Sequence, residues 1–516
     1  MKINQFKAGA FLSYLQLILS AIINLLYTPV MLRILGQNEY GLYNTVASTI
    51  SMLSILNLGF SSSYIRYYAI YKQEGNRDSI NKLNGLFLLI YMIIGSVALV
   101  CGLFLANNLE LVFADGLSEY ELVLAKKLMV LLAVNLAVSF PMSVFSSIIS
   151  ANERFVFLKC AGILKTVISP LLGIPLLLAG FRSIGLVTCT LTISLITDGM
   201  YLYYVLAVLQ NRFVIGTVKS ETLKDLFTYT AFIAVNLIVD QINTNLDKVL
   251  LARYNGTAAS AVYSIGFQLY QYFVMFSTAI SSVYIPKVHM CVQENRADLR
   301  RLYEELTNLF TKVGRLQFLV LALIASGLTL FGKKFIVDIW AGPEYEESYY
   351  VMIMLVLPAT VPLIQNIGIE IQRAQSSHQF RSLIYFLMAI LNYYLTVILC
   401  PTYGAVGAAA GTMISLMLAN GIIMNIYYHK NCNLNIISFW KSIFCLSRGL
   451  WIPVGFGVVI TKLIPHMSFL QLLMATFLYA VVYLLSMLLL GVNDEEKKMI
   501  YAVIRSVFRF KRGRHD

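Results

Sequence analysis

Residues 10–32 read AFLSYLQLILSAIINLLYTPVML, one membrane thickness of mostly apolar side chains. A hydrocarbon core of roughly 30 Å takes roughly 20 such residues of helix to cross. Only helices or closed barrels satisfy their backbone N–H and C=O groups in lipid. The block recurs at 42–64, 83–106, 127–150, 156–180, 183–209, 226–252, 258–285, 306–331, 348–372, 382–400, 404–428, 442–464 and 468–491. The expectation is an all-α integral membrane protein of about fourteen transmembrane helices, whose function concerns what moves through or across a bilayer. The first apolar run is too long for a signal-peptide core and has no small-residue cleavage site, so it reads as an uncleaved span.

Composition agrees. Of 516 residues, 58% are hydrophobic and 13% charged, against about a quarter charged in soluble domains. The net charge of +13 does not mark a nucleic-acid binder, because the charges sit between apolar blocks. Their distribution reports orientation instead. With the N-terminus inside, the inner segments hold 26 Lys and Arg and the outer ones 8, with Lys165, Lys248, Lys312, Arg315 and Arg448 inside spans or at their edges. Both termini are therefore expected in the cytoplasm. After Gly491, the residues Ile500, Val503, Ile504, Val507 and Phe508 recur at helical spacing among Arg505, Arg509, Lys511, Arg512 and Arg514. That tail reads as a basic amphipathic helix on anionic headgroups, or as an orienting stop signal alone.

The chain also matches itself. Arg33-Ile34-Leu35-Gly36, running on to Tyr43, aligns with Arg253-Tyr254-Asn255-Gly256, running on to Tyr263, and Ser61–Ile65 aligns with Ser281–Ile285, all at one offset of 220. Over 25–66 against 245–286 there are 8 identities in 42 positions, and Ile184-Gly185 with Thr190 echoes Val406-Gly407 with Thr412 at an offset of 222. Six spans separate the copies, and an even number preserves direction, so the repeat is parallel about an axis along the membrane normal. The expected organisation is a six-helix bundle over 1–212, a second over 213–430, an extra helix pair over 431–491 and a basic cytoplasmic tail over 492–516. Two facing bundles with a cavity at their interface are a transporter plan, for which a channel or an anchor has less need.

Polar residues inside spans are costly and mark cavities or partners. Ser13, Gln16, Ser20, Asn24 and Tyr27 share one face of the first span, and Asn236, Asp240, Asn243 and Asp247 share the matching face of the seventh, with Lys248 adjacent. The first stripe either lines a cavity or makes interhelical hydrogen bonds. Asp240 and Asp247 are candidates for cation or proton coupling or for contact with substrate hydroxyls, with an ion pair from Asp247 to a base on a neighbouring span as the structural alternative. Asp198 is a similar case in the other bundle. Glu370 and Arg373, three apart, read as a gate or helix pair. Arg33 and Arg253 hold equivalent positions in the two repeats and suggest a shared structural role at the turn.

The residues at the first two spans also carry a family resemblance. Leu32-Arg33-Ile34-Leu35-Gly36, then Glu39-Tyr40-Gly41-Leu42-Tyr43, then Leu56-Asn57-Leu58-Gly59-Phe60 and Ser61-Ser62-Ser63-Tyr64-Ile65-Arg66 resemble the polysaccharide-biosynthesis flippases, the Wzx-type family of the MOP superfamily. That superfamily also holds the MATE drug exporters and the lipid II flippases. The resemblance implies a MATE-like fold and alternating access that moves a polyprenyl-pyrophosphate-linked oligosaccharide from the inner to the outer leaflet without ATP hydrolysis. It implies lipid-linked oligosaccharide and membrane lipids as partners and a polysaccharide polymerase beside them, while the two internal repeats lead to the expectation of a working monomer. On that reading Arg66, Lys165 and Arg315, all in the inner half, are the candidate pyrophosphate contacts, since Arg offers a bidentate fork to phosphate. Each of the three could instead snorkel to the inner interface. Glu110, Asp115, Glu119, Glu121, Glu344, Glu346 and Glu347 would make the outer rim acidic and unfavourable to an anion.

No enzymatic constellation is present: no P-loop, no GxSxG, no HExxH and no metal-spaced cysteines. The seven cysteines, none at CxxC spacing, read as small core hydrophobes. No cofactor is expected beyond a coupling Na+ or H+. Two rival functions stay open: a MATE-like cation-coupled drug exporter, and a non-transporting scaffold for glycan-assembly enzymes.

Overall fold

The computed structural model describes residues 4–113, 116–216, 220–295, 298–375, 379–494 and 496–498. Asp115 and the basic tail after residue 498 lie outside the described residues. Within them the chain is helical, with no strand.

In chain order the helices are α1 (Gln5–Met52), α2 (Phe60–Gln73), α3 (Arg77–Asn107), α4 (Leu109–Phe113), α5 (Glu119–Ala151), α6 (Phe155–Leu176), α7 (Arg182–Tyr203), α8 (Ser220–Ser282) and α9 (Ile285–Glu294). They continue as α10 (Leu299–Lys334), α11 (Glu346–Ile364), α12 (Ile367–Ala374), α13 (Gln379–Leu416), α14 (Met424–Lys430), α15 (Ile436–Ser447), α16 (Trp451–Leu463) and α17 (Phe469–Ser486). Side-chain caps set several starts. Asn4 accepts from the Lys7 N–H at α1, and reciprocal capping boxes join Ser118 to Glu121 at α5 and Ser468 to Gln471 at α17. Each satisfies N–H groups that the helix leaves unpaired, worth about 1 kcal/mol.

Among the described residues, nine helical runs are long and apolar enough to cross a membrane. Three of them, Gln5–Gln73, Phe155–Val208 and Gln379–Lys430, each run through two expected spans. They and α8 contain non-helical backbone between those spans. At Gly36 the backbone is φ 76°, ψ 172°, and at Gly256, its partner at offset 220, it is φ 81°, ψ 176°. A Cβ disfavours that region, which is why both repeats spend a glycine there. The second kink pair shows the same correspondence with a different residue. Arg182 sits at φ 48°, ψ −137°, and Gly404, at offset 222, at φ 54°, ψ −135°. The repeat is thus written in backbone conformation even where the side chains differ.

The chain divides into two compact units, one of residues 1–265 with 382–412 and one of 266–381 with 413–516. Residues 213–265 and 382–412, expected in the second bundle, therefore group with the first in this state. In the first unit α1 packs on α5, α6 and α7, and α3 packs along α5. Its core has one cluster around Leu42, Phe113 and Leu128 and another around Phe60, Tyr64, Phe87 and Tyr91. Tyr64, Tyr68 and Tyr91 keep hydroxyl partners there, as with Tyr64 donating to Asn84 at 2.6 Å. In the second unit α10 is the hub, contacting α11, α15, α16 and α17.

Candidate functional site

The two glycine kinks of the first unit bring the second half of α1 against the part of α8 that follows Gly256. A Cβ on Gly41 would overlap the Thr257 carbonyl, so the backbones meet there without a side chain between them. Thr45 and Ser260 share a hydrogen bond of 2.7 Å, and Thr257 donates to Glu121 at 2.5 Å. This is the close approach of small and hydroxyl residues that holds helices together in lipid. Arg253 extends the seal by donating to the carbonyls of Leu111 at 3.0 Å and Val112 at 3.4 Å. Arg33, its repeat equivalent, is exposed. The acids of the expected rim are partly committed, Glu121 to Thr257 and Glu346 to Lys333 at 2.6 Å.

Beside that seal lies a second tie. Glu39, 7% exposed, pairs with Arg182 at 2.8 Å and accepts from both the backbone N–H and the hydroxyl of Ser183. Arg182 also donates to the Leu35 carbonyl at 3.0 Å. The clasp joins the Gly36 kink to the Arg182 kink. It holds Arg182 in a backbone conformation that its repeat partner occupies as glycine.

Deeper in the first unit, Lys165 on α6 donates to Ser194 on α7 at 2.9 Å and lies within electrostatic reach of Asp198 one turn along. Two expected site residues are thus neighbours. The polar stripe of α1 faces α6 at two places: Gln16 fills the space over Gly162, and Tyr27 that over Gly173. Those members of the stripe pack helices. Arg66 on α2 is exposed and acts electrostatically on Tyr67, as does Asp225.

On α8, Asp240 is exposed, Asn243 half-buried, and Asn236 accepts from Ser382 at 3.0 Å. Asp247 is 1% exposed. Its carboxylate accepts from Tyr263 at 2.6 Å, from Thr412 at 3.0 Å and from Thr396 at 3.1 Å. Three hydroxyls hold it, where the structural alternative had a base on a neighbouring span. The adjacent Lys248 acts on it electrostatically. A buried carboxylate among hydroxyl oxygens is an oxygen-rich site of the kind that suits a hard cation or a proton.

In the second unit Glu370 and Arg373 form the expected pair at 2.7 Å. Arg315 departs from expectation. It is 7% exposed, and all five of its N–H donors are engaged. Nε and Nη2 form a fork on Glu496 at 2.6 and 2.7 Å, Nη1 reaches the Ser442 carbonyl and hydroxyl, and Nη2 also reaches the Gly491 carbonyl. In this state it ties the chain after the last span to α10 and α15 and is closed to a headgroup. Among the described residues, no cluster of three or more His, Cys, Asp or Glu is placed to hold a metal ion.

A model of the family described as polysaccharide biosynthesis protein matches residues 6–292. The chain belongs to that family. A Shigella flexneri protein named as an O-antigen transporter is 20% identical over 419 residues, which are 77% of this chain and 92% of that protein. Among solved structures, the lipid II flippase MurJ in an inward closed conformation matches with a TM-score of 0.71 and 15% identity, over 93% of this chain and 97% of that one. A multidrug-resistance MATE transporter of the MOP superfamily, inward-facing, matches with a TM-score of 0.62 and 14% identity, over 83% and 95%. The fold of this polysaccharide biosynthesis protein is therefore that of the MurJ and MATE transporters.

What sequence reasoning missed in this family member is consistently the partner. Glu39 lies in a quoted motif and Thr412 in the 222 echo, yet nothing in their spacing pairs them with Arg182 and Asp247. Glu496 sits at the start of a tail read for its basic amphipathic face, which gave its acids no partner.

Proposed function

We propose that this protein is a flippase that carries a polyprenyl-pyrophosphate-linked oligosaccharide from the inner to the outer leaflet of a bacterial cytoplasmic membrane, by alternating access, for export of cell-surface polysaccharide. The observation that carries the proposal is the repeated kink geometry, Gly36 with Gly256 and Arg182 with Gly404, in a chain of this family. A parallel repeat with matched hinges is what two like-oriented halves need in order to exchange access. The proposed topology has fourteen spans with both termini cytoplasmic. The halves are 1–212 and 213–430, followed by the pair 431–491 and the tail 492–516, and the protein works as a monomer.

Arg66 and Lys165 receive the pyrophosphate on the inner side. Lys165 donates to a neutral hydroxyl, which keeps its charge available for phosphate. Asp198, Asp240 and Asn243 meet the glycan or the coupling ion, and Asp247 with Lys248 couples Na+ or H+. Independently of coupling, an inside-negative potential drives an anion outward by roughly 2.3 kcal/mol per charge per 100 mV. Arg33 and Arg253 brace the outer turns, and Glu370 with Arg373 braces the inner end. A polysaccharide polymerase consumes the flipped product.

The test is flipping in proteoliposomes, with a lipid-linked glycan and an organic cation supplied in parallel. The glycan is expected to cross and the cation to stay, and Lys165→Glu is expected to stop the glycan. Equal glycan flipping by Lys165→Glu and wild type would remove the assigned site. Transport of the cation alone would replace the flippase with an exporter.

A further inference from the structure

A cleft of about 770 Å³ opens in the second unit where α9, α10, α15 and the segment after Gly491 come together. Its lining combines the cations Lys287, Lys312 and Arg315 and the hydroxyl of Thr311 with the apolar Met290, Leu316 and Leu319. Lys287 and Lys312 are exposed and make no ion pair among the described residues. Two of the three lining acids are spoken for: Glu305 by Arg301 at 3.0 Å and Asn295 at 2.8 Å, and Glu496 by Arg315.

The Glu496 contact has the form of a bound ligand. Its two oxygens meet Nε and Nη2 of Arg315 as a fork, the geometry by which guanidinium takes a free carboxylate or phosphate. The residue is presented by a short local cap, Asn493 Oδ1 accepting from the Glu496 N–H and the Glu496 carboxylate accepting from the Asn493 N–H, both at 2.9 Å. A few residues beyond the last span thus lend one carboxylate to a cationic wall. Without it, Lys287, Lys312 and Arg315 share the cleft with Glu294 and with Glu305, which Arg301 and Asn295 already hold.

We propose that Glu496 is a displaceable internal counter-ion, and that the cleft it closes binds the phosphate of an anionic bilayer lipid with an acyl chain along Met290, Leu316 and Leu319. The lipid phosphate replaces the Glu496 carboxylate on Arg315 and gains Lys287 and Lys312. Displacement frees the segment after Gly491 from α10 and α15, so the lipid composition of the inner leaflet sets whether that segment is docked. This lies apart from the cargo reading, because it concerns a bilayer lipid at a site within the second unit.

The test uses the purified full chain in detergent with dioleoyl phosphatidate, dioleoyl phosphatidylcholine and inorganic phosphate as separate titrants, binding read by native mass spectrometry and folding by thermal melting. Glu496→Gln is expected to bind phosphatidate roughly tenfold tighter or more, the scale of one charge-assisted hydrogen bond, with phosphatidylcholine unchanged. The double variant Lys287→Gln, Lys312→Gln leaves the Arg315–Glu496 fork in place and is expected to weaken phosphatidate binding by roughly tenfold. Inorganic phosphate is expected to bind at least tenfold more weakly than phosphatidate. Unchanged phosphatidate affinity in Glu496→Gln would make the fork a fixed structural tie and overturn the proposal. Unchanged affinity in the lysine double variant would overturn it too, and that arm decides if Glu496→Gln melts too low to titrate. Inorganic phosphate binding as tightly as phosphatidate would remove the lipid.

Discussion

Replacing Gly41 by alanine tests whether the α1–α8 seal opens during function. The added Cβ overlaps the Thr257 carbonyl and comes within 3.2 Å of the Ala261 Cβ. Both neighbours are backbone or backbone-fixed atoms, so the helices must separate. Overpacking of this kind costs about 1–3 kcal/mol. Alanine gains roughly 1 kcal/mol over glycine in helix propensity, but it gains that in open and sealed states alike, so the balance between them shifts by the packing cost alone. Taking about 2 kcal/mol, the sealed state loses roughly 30-fold in population relative to the open one. The assay places Ser260→Cys, fully buried in the sealed state, in a background where the seven native cysteines are serine. Labelling by a membrane-impermeant maleimide is followed from the side bearing Arg33. Gly455→Ala, where a Cβ meets open space, sets the baseline. Labelling in Gly41→Ala is expected to rise roughly 30-fold over that baseline. If labelling stays flat while the melting temperature drops, the crossing is a permanent structural contact and the alternating-access argument loses its outer seal.

Three further outcomes follow from the geometry. Arg182→Gly is expected to melt higher than Arg182→Ala: both lose the Glu39 pair, but glycine relieves the backbone at φ 48°, worth about 1 kcal/mol or more, and equal melting would mean that position stores no strain. Asp247→Asn is expected to remain folded and to lose the Na+ or pH dependence of flipping, while an unaltered dependence in proteoliposomes would move coupling elsewhere. Asn425→Ala orphans two donors now spent on its Oδ1, Gln365 Nε2 and Trp440 Nε1, both at 2.8 Å. It should destabilise by about 2–4 kcal/mol, read as a fall in detergent melting temperature, and a change near zero would mean that water replaces the amide.

The fold was legible because lipid simplifies the code. A span must be apolar for its full length, so residues 10–32 could be read without knowing a single neighbour. The helix starts carry an equally local signal that the expected spans did not use: Asn4, Ser118 and Ser468 cap the turns that follow them in sequence. The repeat's shared kink geometry was legible only where it needed glycine. Gly36 and Gly256 announce their shared backbone geometry. Arg182 adopts the geometry of Gly404 but, being a residue that rarely takes positive φ, gave no signal of it.

The site was less legible because its chemistry is set by pairs that are remote in the chain. Spacing placed Asp240 and Asp247 on one face of α8, yet Asp240 is exposed and Asp247 is enclosed by Tyr263, Thr396 and Thr412. Two acids seven residues apart thus have different surroundings. The difference comes from α13, whose hydroxyls arrive from up to 165 positions away. Arg315 makes the same point with the opposite sign. A cation within a span demands a partner or an escape to the interface, and depth alone left Arg315 either a headgroup contact or a snorkel. Its partner is Glu496, 181 positions on, in a tail read only for its basic residues. Sequence therefore ranks which charges need explaining, and only the packed chain decides whether the explanation is a ligand or another residue. Where the answer is a carboxylate set in a fork that also fits phosphate, the two explanations compete for the same guanidinium, and the competition can be measured.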